Sequence, residues 1–279
     1  MIGSMTPRDL LREWLAGRLE APARAWLDDS AARLAANPDD AAVFSLFSSA
    51  LRHTGKRPLS PTPVEAAMAD ALVPGWDPSD WTLDEAGRIY LLLALAPGRD
   101  SARLMDAIMV TADLGEAVAL LKALPLLPDP LLHLPRAREG ARSNAKSNFE
   151  AVALRNPYPA LHFDETAWNQ LVSKAIFVDS PLQSIQGLDR RANRNLNRLL
   201  MDLVAERRAA GRPIAPLLYR CLAPCAGDPE LELIESALPS VSASDAGSIL
   251  AALARNDSAG AQRVRAHYKP ANEDPGHVR

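Results

Sequence analysis

A chain of 279 residues with 48% hydrophobic and 23% charged side chains can bury a sizeable core, which excludes wholesale disorder. Its net charge of −3 argues against a protein built mainly for non-specific phosphate binding. Two cysteines, Cys221 and Cys225, are too few for a disulfide-stapled secreted domain, and no secretory leader is legible, so the expected compartment is a reducing cytoplasm.

The 23 prolines fall between apolar patterns of helical spacing, where proline stops or starts a helix. Thr6-Pro7 opens a run with Leu10, Leu11, Trp14, Leu15 and Leu19 on one face. Pro22 opens the next, with Trp26, Leu27 and Leu34, and Asn37-Pro38-Asp39 starts a third through Val43, Phe44, Phe47 and Leu51. A proline-rich connector, Lys56 to Pro63, precedes further helices predicted at Val64–Val73, Leu83–Ala96, Ser101–Leu114 and Glu116–Leu124. Leu124 to Pro135 contains four prolines and reads as an irregular apolar link, after which Arg136 to Leu154 resumes helix. The longest apolar run, Ile89 to Ala96, is far short of the ~20 residues that span a bilayer, so the chain is not expected to cross a membrane.

Alternation of period two, the mark of strands, is absent over any convincing length. The expected fold is therefore all-α, with short helices stacked as antiparallel pairs. A HEAT-like α-solenoid without a fixed repeat length is the preferred form, and an irregular helical array the runner-up. Residues 1–135 read as one helical half, 136–270 as a second, and 271–279 as a tail, in what could equally be one continuous domain.

The polar and aromatic residues that do specific work concentrate between Ala153 and Cys225. Leu154-Arg155-Asn156-Pro157-Tyr158-Pro159 is expected to be a loop, since each proline biases its predecessor toward extended backbone. Asp164 is placed to cap the next helix, with Glu165 beside it at the positive helix end. Trp168, Leu171, Val172, Ala175 and Ile176 then form an apolar stripe, and Glu165, Asn169 and Ser173 line another face beside Lys174. Asp189 is expected to cap a second, basic helix buried through Ala192, Leu196, Leu199, Leu200 and Leu203. Asn193 and Asn197 sit at the edge of that stripe, and Arg190, Arg191, Arg194 and Arg198 cover much of the rest.

Two readings follow. Arg155, Asn156, Tyr158, His162, Asp164, Glu165, Trp168, Asn169, Lys174, Asp189, Arg190, Asn193, Arg194 and Asn197 could form a surface or pocket binding an anionic or carbonyl-bearing ligand. The same asparagines and aspartates could instead cap helices and fasten connectors. Nucleotide-binding, zinc-protease and nucleophile-elbow patterns are missing. Cys221 and Cys225 make only half of a zinc site, so neither metal nor cofactor is expected. The basic helix lacks interleaved aromatic residues, so nucleic acid is not an expected partner.

Arg155-Asn156-Pro157-Tyr158-Pro159-Ala160, Phe163-Asp164-Glu165, Ala167 to Val172 and Lys174-Ala175-Ile176-Phe177 resemble the pattern of EboA domain proteins, and Ile185 to Arg208 is similar to that family's downstream helix. The resemblance is specific over Leu154–Cys225 and faint over the N-terminal half. It implies a gene cluster that also encodes a prenyltransferase-like membrane protein and hydrolase- or isomerase-like enzymes, linked to moving or maturing secondary-metabolite precursors. It carries over no catalytic residue. The resulting expectation is a non-catalytic helical adaptor or scaffold contacting other proteins of that cluster. The alternative is a metabolite-binding protein, or an uncharacterised enzyme, with its site between the two central helices.

Overall fold

The computed structural model describes residues 5–268, and the predicted tail at 271–279 lies outside them. Those residues form sixteen α-helices joined by short connectors, four of which contain 3-10 turns, and no strand. A single antiparallel bridge, Pro58 to Thr82, is the one β-type pairing among the described residues. The chain divides into two compact units, one up to Leu171 with Ser184–Gln186, the other comprising Val172–Gln183 and the residues from Gly187 onward.

The first unit begins with α1 (Pro7–Arg18), α2 (Ala21–Ala35), α3 (Asp40–Thr54) and α4 (Pro63–Leu72). Local chemistry sets their starts: Thr6 and Asp9 form a reciprocal capping box at α1, as Thr62 and Glu65 do at α4, with proline in the first turn of each. Next come α5 (Leu83–Leu92), α6 (Ser101–Met109), α7 (Leu114–Ala123), α8 (Leu134–Arg142), α9 (Lys146–Ala153) and α10 (Tyr158–His162). Helices α3, α5, α7 and α9 pack successively as a row, and α1 and α2 close on α5.

Helix α5 is interior along nearly its whole length. It even buries a charged pair: Arg88 Nη1 donates to Asp84 Oδ2 at 2.5 Å, and both side chains are 2% exposed. Asp84 also accepts from Thr82 Oγ1 at 2.6 Å, and the Arg88 guanidinium lies 5.6 Å from the Phe47 ring centre. Such a pair holds only while both partners remain, since a lone buried charge costs several kcal/mol. Trp14, Trp76 and Trp81 form an aromatic cluster with successive ring centres 5.8 Å apart.

Helix α11 (Glu165–Phe177) contains the boundary between the units. The second unit continues with α12 (Arg194–Ala209), α13 (Pro216–Leu222), α14 (Asp228–Ala237), α15 (Ala243–Leu253) and α16 (Ala259–His267). Its core is built where α13 packs on α12, α14 and α15, and α16 on α14 and α15. Leu196, Leu200, Leu218, Leu222, Ile234, Ile249 and Leu253 fill it.

Several expectations need correcting. The predicted helix from Arg136 to Leu154 is two helices, split by Ser143 to Ala145, where Ser143 turns to extended backbone. The proline-rich link of residues 124–135 is not irregular throughout, because Leu124–Leu126 and Pro130–His133 form 3-10 turns. The segment expected as a loop contains α10, since a proline in the first helical turn lacks only an N–H that has no partner there anyway. Leu199 is 43% exposed and Ala192 precedes α12, so the buried stripe of that helix is Leu196, Asn197, Leu200 and Val204.

Candidate functional site

Within the first unit, the central motif begins at Arg155, whose backbone is left-handed at φ 53°. Its N–H donates to the Ser184 carbonyl at 2.7 Å, while its guanidinium donates to Ser79 Oγ at 3.0 Å and approaches Asp77 at 3.4 Å. Asn156 follows, 4% exposed. Its amide nitrogen donates to the Leu121 and Ala151 carbonyls at 3.2 and 3.0 Å, and its oxygen accepts from the Tyr158 N–H at 3.0 Å. Tyr158 is fully buried, donates its hydroxyl to the Pro130 carbonyl, and has its ring 4.6 Å from that of His162. Burial pushes the Tyr158 phenol up to about 12 and lowers the His162 pKa.

Asp164 Oδ1 accepts from the Ala167 N–H at 2.8 Å, so it does cap α11. Its other oxygen takes the Arg138 guanidinium. Glu165 is exposed, whereas Trp168 and Asn169 are buried. Asn156, Tyr158, Trp168 and Asn169 are therefore interior groups, while of the other candidate residues in this unit Asp164 and Glu165 are exposed and Arg155 and His162 partly so.

Within the second unit, Lys174 is half-buried, and burial lowers its pKa. Asp189 does not cap α12. It accepts from Arg220 at 2.9 Å, with Arg255 at 3.7 Å, and one oxygen is left buried without a partner. Asn193 is the cap instead: its Oδ1 accepts from the Leu196 N–H at 2.8 Å. Asn197 is 2% exposed and donates to the Leu222 carbonyl at 3.0 Å, fastening α12 to α13. Arg190 and Arg194 are exposed.

Arg194 and Cys225 border a cavity of about 330 Å3 with Asn256 and Ser258. The helix-start N–H groups beside it are already taken: Gly227 donates to Glu230 at 2.9 Å, and Ala261 to Ser258 at 3.2 Å. Burial raises the thiol pKa of both cysteines, Cys221 to about 12. Among the described residues, no group of three or more His, Cys, Asp or Glu side chains is placed to hold a metal ion.

Two further features of the first unit were not anticipated. The Tyr158–Pro130 bond joins α10 to the turn before α8, a region where Leu131, Leu132 and Leu161 are 68%, 60% and 58% exposed. An uncovered leucine is ordinary, but here three lie on two segments that one hydrogen bond ties together. A cleft of about 510 Å3 is also lined by α1, α2 and Tyr90 of α5. Its sequence signal was faint: Asp9, Arg12 and Glu13 share one face of α1 by spacing, as Arg24 and Asp28 do on α2, but such charges usually mark a solvated face.

The molecule is thus an all-α protein of packed short helices, and among its described residues no helix is long and apolar enough to cross a membrane. It belongs to the EboA family, described as metabolite traffic protein EboA, which matches residues 7–223. The match takes in the N-terminal helices, where the sequence resemblance is faint, as well as the central motif. No curated protein and no solved structure matches the chain.

Proposed function

We propose that this EboA-family chain is a non-catalytic adaptor that serves metabolite traffic by docking other proteins of its gene cluster. The carrying observation is the exposure of Leu131, Leu132 and Leu161 on segments tied by the Tyr158–Pro130 bond. The burial of Asn156, Tyr158, Trp168 and Asn169 supports the same reading: these groups hold the platform and leave contacts to their surface neighbours. Exposed apolar side chains on a rigid support are the usual core of a protein interface.

The test is pairwise co-expression of the tagged chain with each protein encoded in its cluster. At least one should be retained, and a Leu131→Asp, Leu161→Asp double variant should lose it with an unchanged melting temperature. Retention of none, or equal retention by the variant, would refute the adaptor reading.

The cleft beside α1 and α2 favours a second reading, in which the chain itself holds a small metabolite.

A further inference from the structure

The cleft has an apolar floor and a charged rim. Leu15, Leu27 and Tyr90 are 2%, 3% and 2% exposed and form its base with Ala16. Its volume, about 510 Å3, lies within the roughly 300–1,000 Å3 of sites that take small organic ligands. Charged groups of both signs stand around it, and what matters is which of them are already engaged.

Arg12 Nε donates to Asp28 Oδ1 at 3.0 Å, and the Tyr90 hydroxyl points to the same oxygen at 3.4 Å. Arg24 donates to the Ala16 carbonyl at 3.2 Å. Arg8 holds its guanidinium 5.6 Å from the Tyr90 ring centre. Asp9 is held by the Thr6 N–H and hydroxyl at 3.0 and 2.7 Å. Every one of these charges has a partner in place. Glu13 also lines the cleft, is exposed, and makes no hydrogen bond or ion pair with the described residues.

From this arrangement we infer that the cleft is a binding site for a small organic ammonium ion with an apolar body of one or two rings. The body would lie on Leu15, Leu27 and Tyr90, and the ammonium would donate to the Glu13 carboxylate. A charge-assisted hydrogen bond formed there displaces no existing pair among the described residues. An anionic ligand would have to draw Arg24 from the Ala16 carbonyl or take Arg12 from Asp28, and would then face three carboxylates, Asp9, Glu13 and Asp28. Selection by charge sign is thus built into the rim.

The inference deepens the reading in which the chain holds a metabolite, and it uses no residue of the leucine surface, so each can fail without the other. Calorimetric titration of the full chain with tyramine and with 3-(4-hydroxyphenyl)propionate compares one ring body carrying opposite charges. Tyramine should bind saturably and at least about tenfold more tightly than the acid. Glu13→Gln should weaken tyramine at least about tenfold at an unchanged melting temperature, since the side chain is exposed and has no partner among the described residues. Absence of tyramine binding up to about 10 mM, equal binding of both probes, or an indifferent Glu13→Gln variant would each overturn the assignment. If the chain holds a metabolite elsewhere, a tyramine-indifferent protein would still retain a small molecule on purification from its native host.

Discussion

Asn156 reaches across the first unit to Leu121: its side-chain amide donates to that residue's carbonyl oxygen at 3.2 Å while also donating to Ala151. One residue thereby joins α7, α9 and the start of α10 through a single buried amide, and its oxygen is consumed by the Tyr158 N–H. This is a structural use for a residue whose type and setting suggested ligand recognition. Asn156→Ala leaves two carbonyls and an N–H without that partner in a dry interior. The expected cost is about 2–3 kcal/mol, measured by urea denaturation. A loss below about 0.5 kcal/mol would mean water replaces the amide without penalty.

The two ends of the loop before α12 separate capping from ion pairing. Asn193→Ala should cost about 1 kcal/mol through the lost bond to Leu196, and Asn193→Asp should restore most of it. Asp189 pairs with Arg220 and caps nothing, so Asp189→Asn should leave the helicity of α12 intact. Circular dichroism during thermal melting of the three variants checks the assignment, which fails if Asn193→Ala melts with the wild type.

Gly140 of α8 lies close against α7 and α9. A Cβ there would sit 2.8 Å from both Leu121 Cδ2 and Val152 Cγ2. Gly140→Ala should therefore destabilise by about 1–3 kcal/mol despite alanine's better helix propensity. Gly247, in α15, is the control, because a Cβ there meets nothing within 4 Å. Gly247→Ala should stabilise by about 0.5–1 kcal/mol. Equal effects of the two changes would contradict the packing described.

His133 is 1% exposed, with Nε2 3.2 Å from the Pro128 carbonyl and 3.4 Å from Ser101 Oγ. Burial lowers its pKa below the usual 6.5, outweighing the bond to Pro128 and the more distant Asp100, Asp106 and Asp129, which act the other way. A folded-state pKa below the unfolded one means the unfolded chain binds more protons in between. The ring's stabilising contribution is complete above pH 6.5 and is lost as pH falls toward the folded pKa. His162 shifts in the same direction, so the two add. Stability measured from pH 7.5 to 5 should fall, and less steeply in His133→Gln. An identical slope in that variant would place the pH dependence elsewhere.

Much of the helix pattern was open to reading because proline and capping residues act locally. Ser242 and Ser258 accept from the N–H groups of their own helix starts, as Thr6 and Thr62 do. The missed elements follow from longer-range causes. Trp76 and Trp81 sit in a connector without helical spacing, and only their packing with Trp14 shows them to be core. Asp189 and Asn193 were both credible caps by residue type. The choice fell to Asn193 because Arg220, 31 positions beyond Asp189, supplies that aspartate with a better partner.

The same division runs through the candidate site. Order of residues alone established an all-α chain and its punctuation, because backbone sterics and helical periodicity depend on near neighbours, and its motifs carried a family likeness over Leu154–Cys225. Whether a given asparagine or tyrosine faces ligand or core was decided by tertiary structure, since burial is set by segments far away in sequence: Leu121 and Pro130 claim Asn156 and Tyr158, and Leu222 claims Asn197. The cleft at Glu13 likewise exists only because α5 brings Tyr90 beneath α1 and α2.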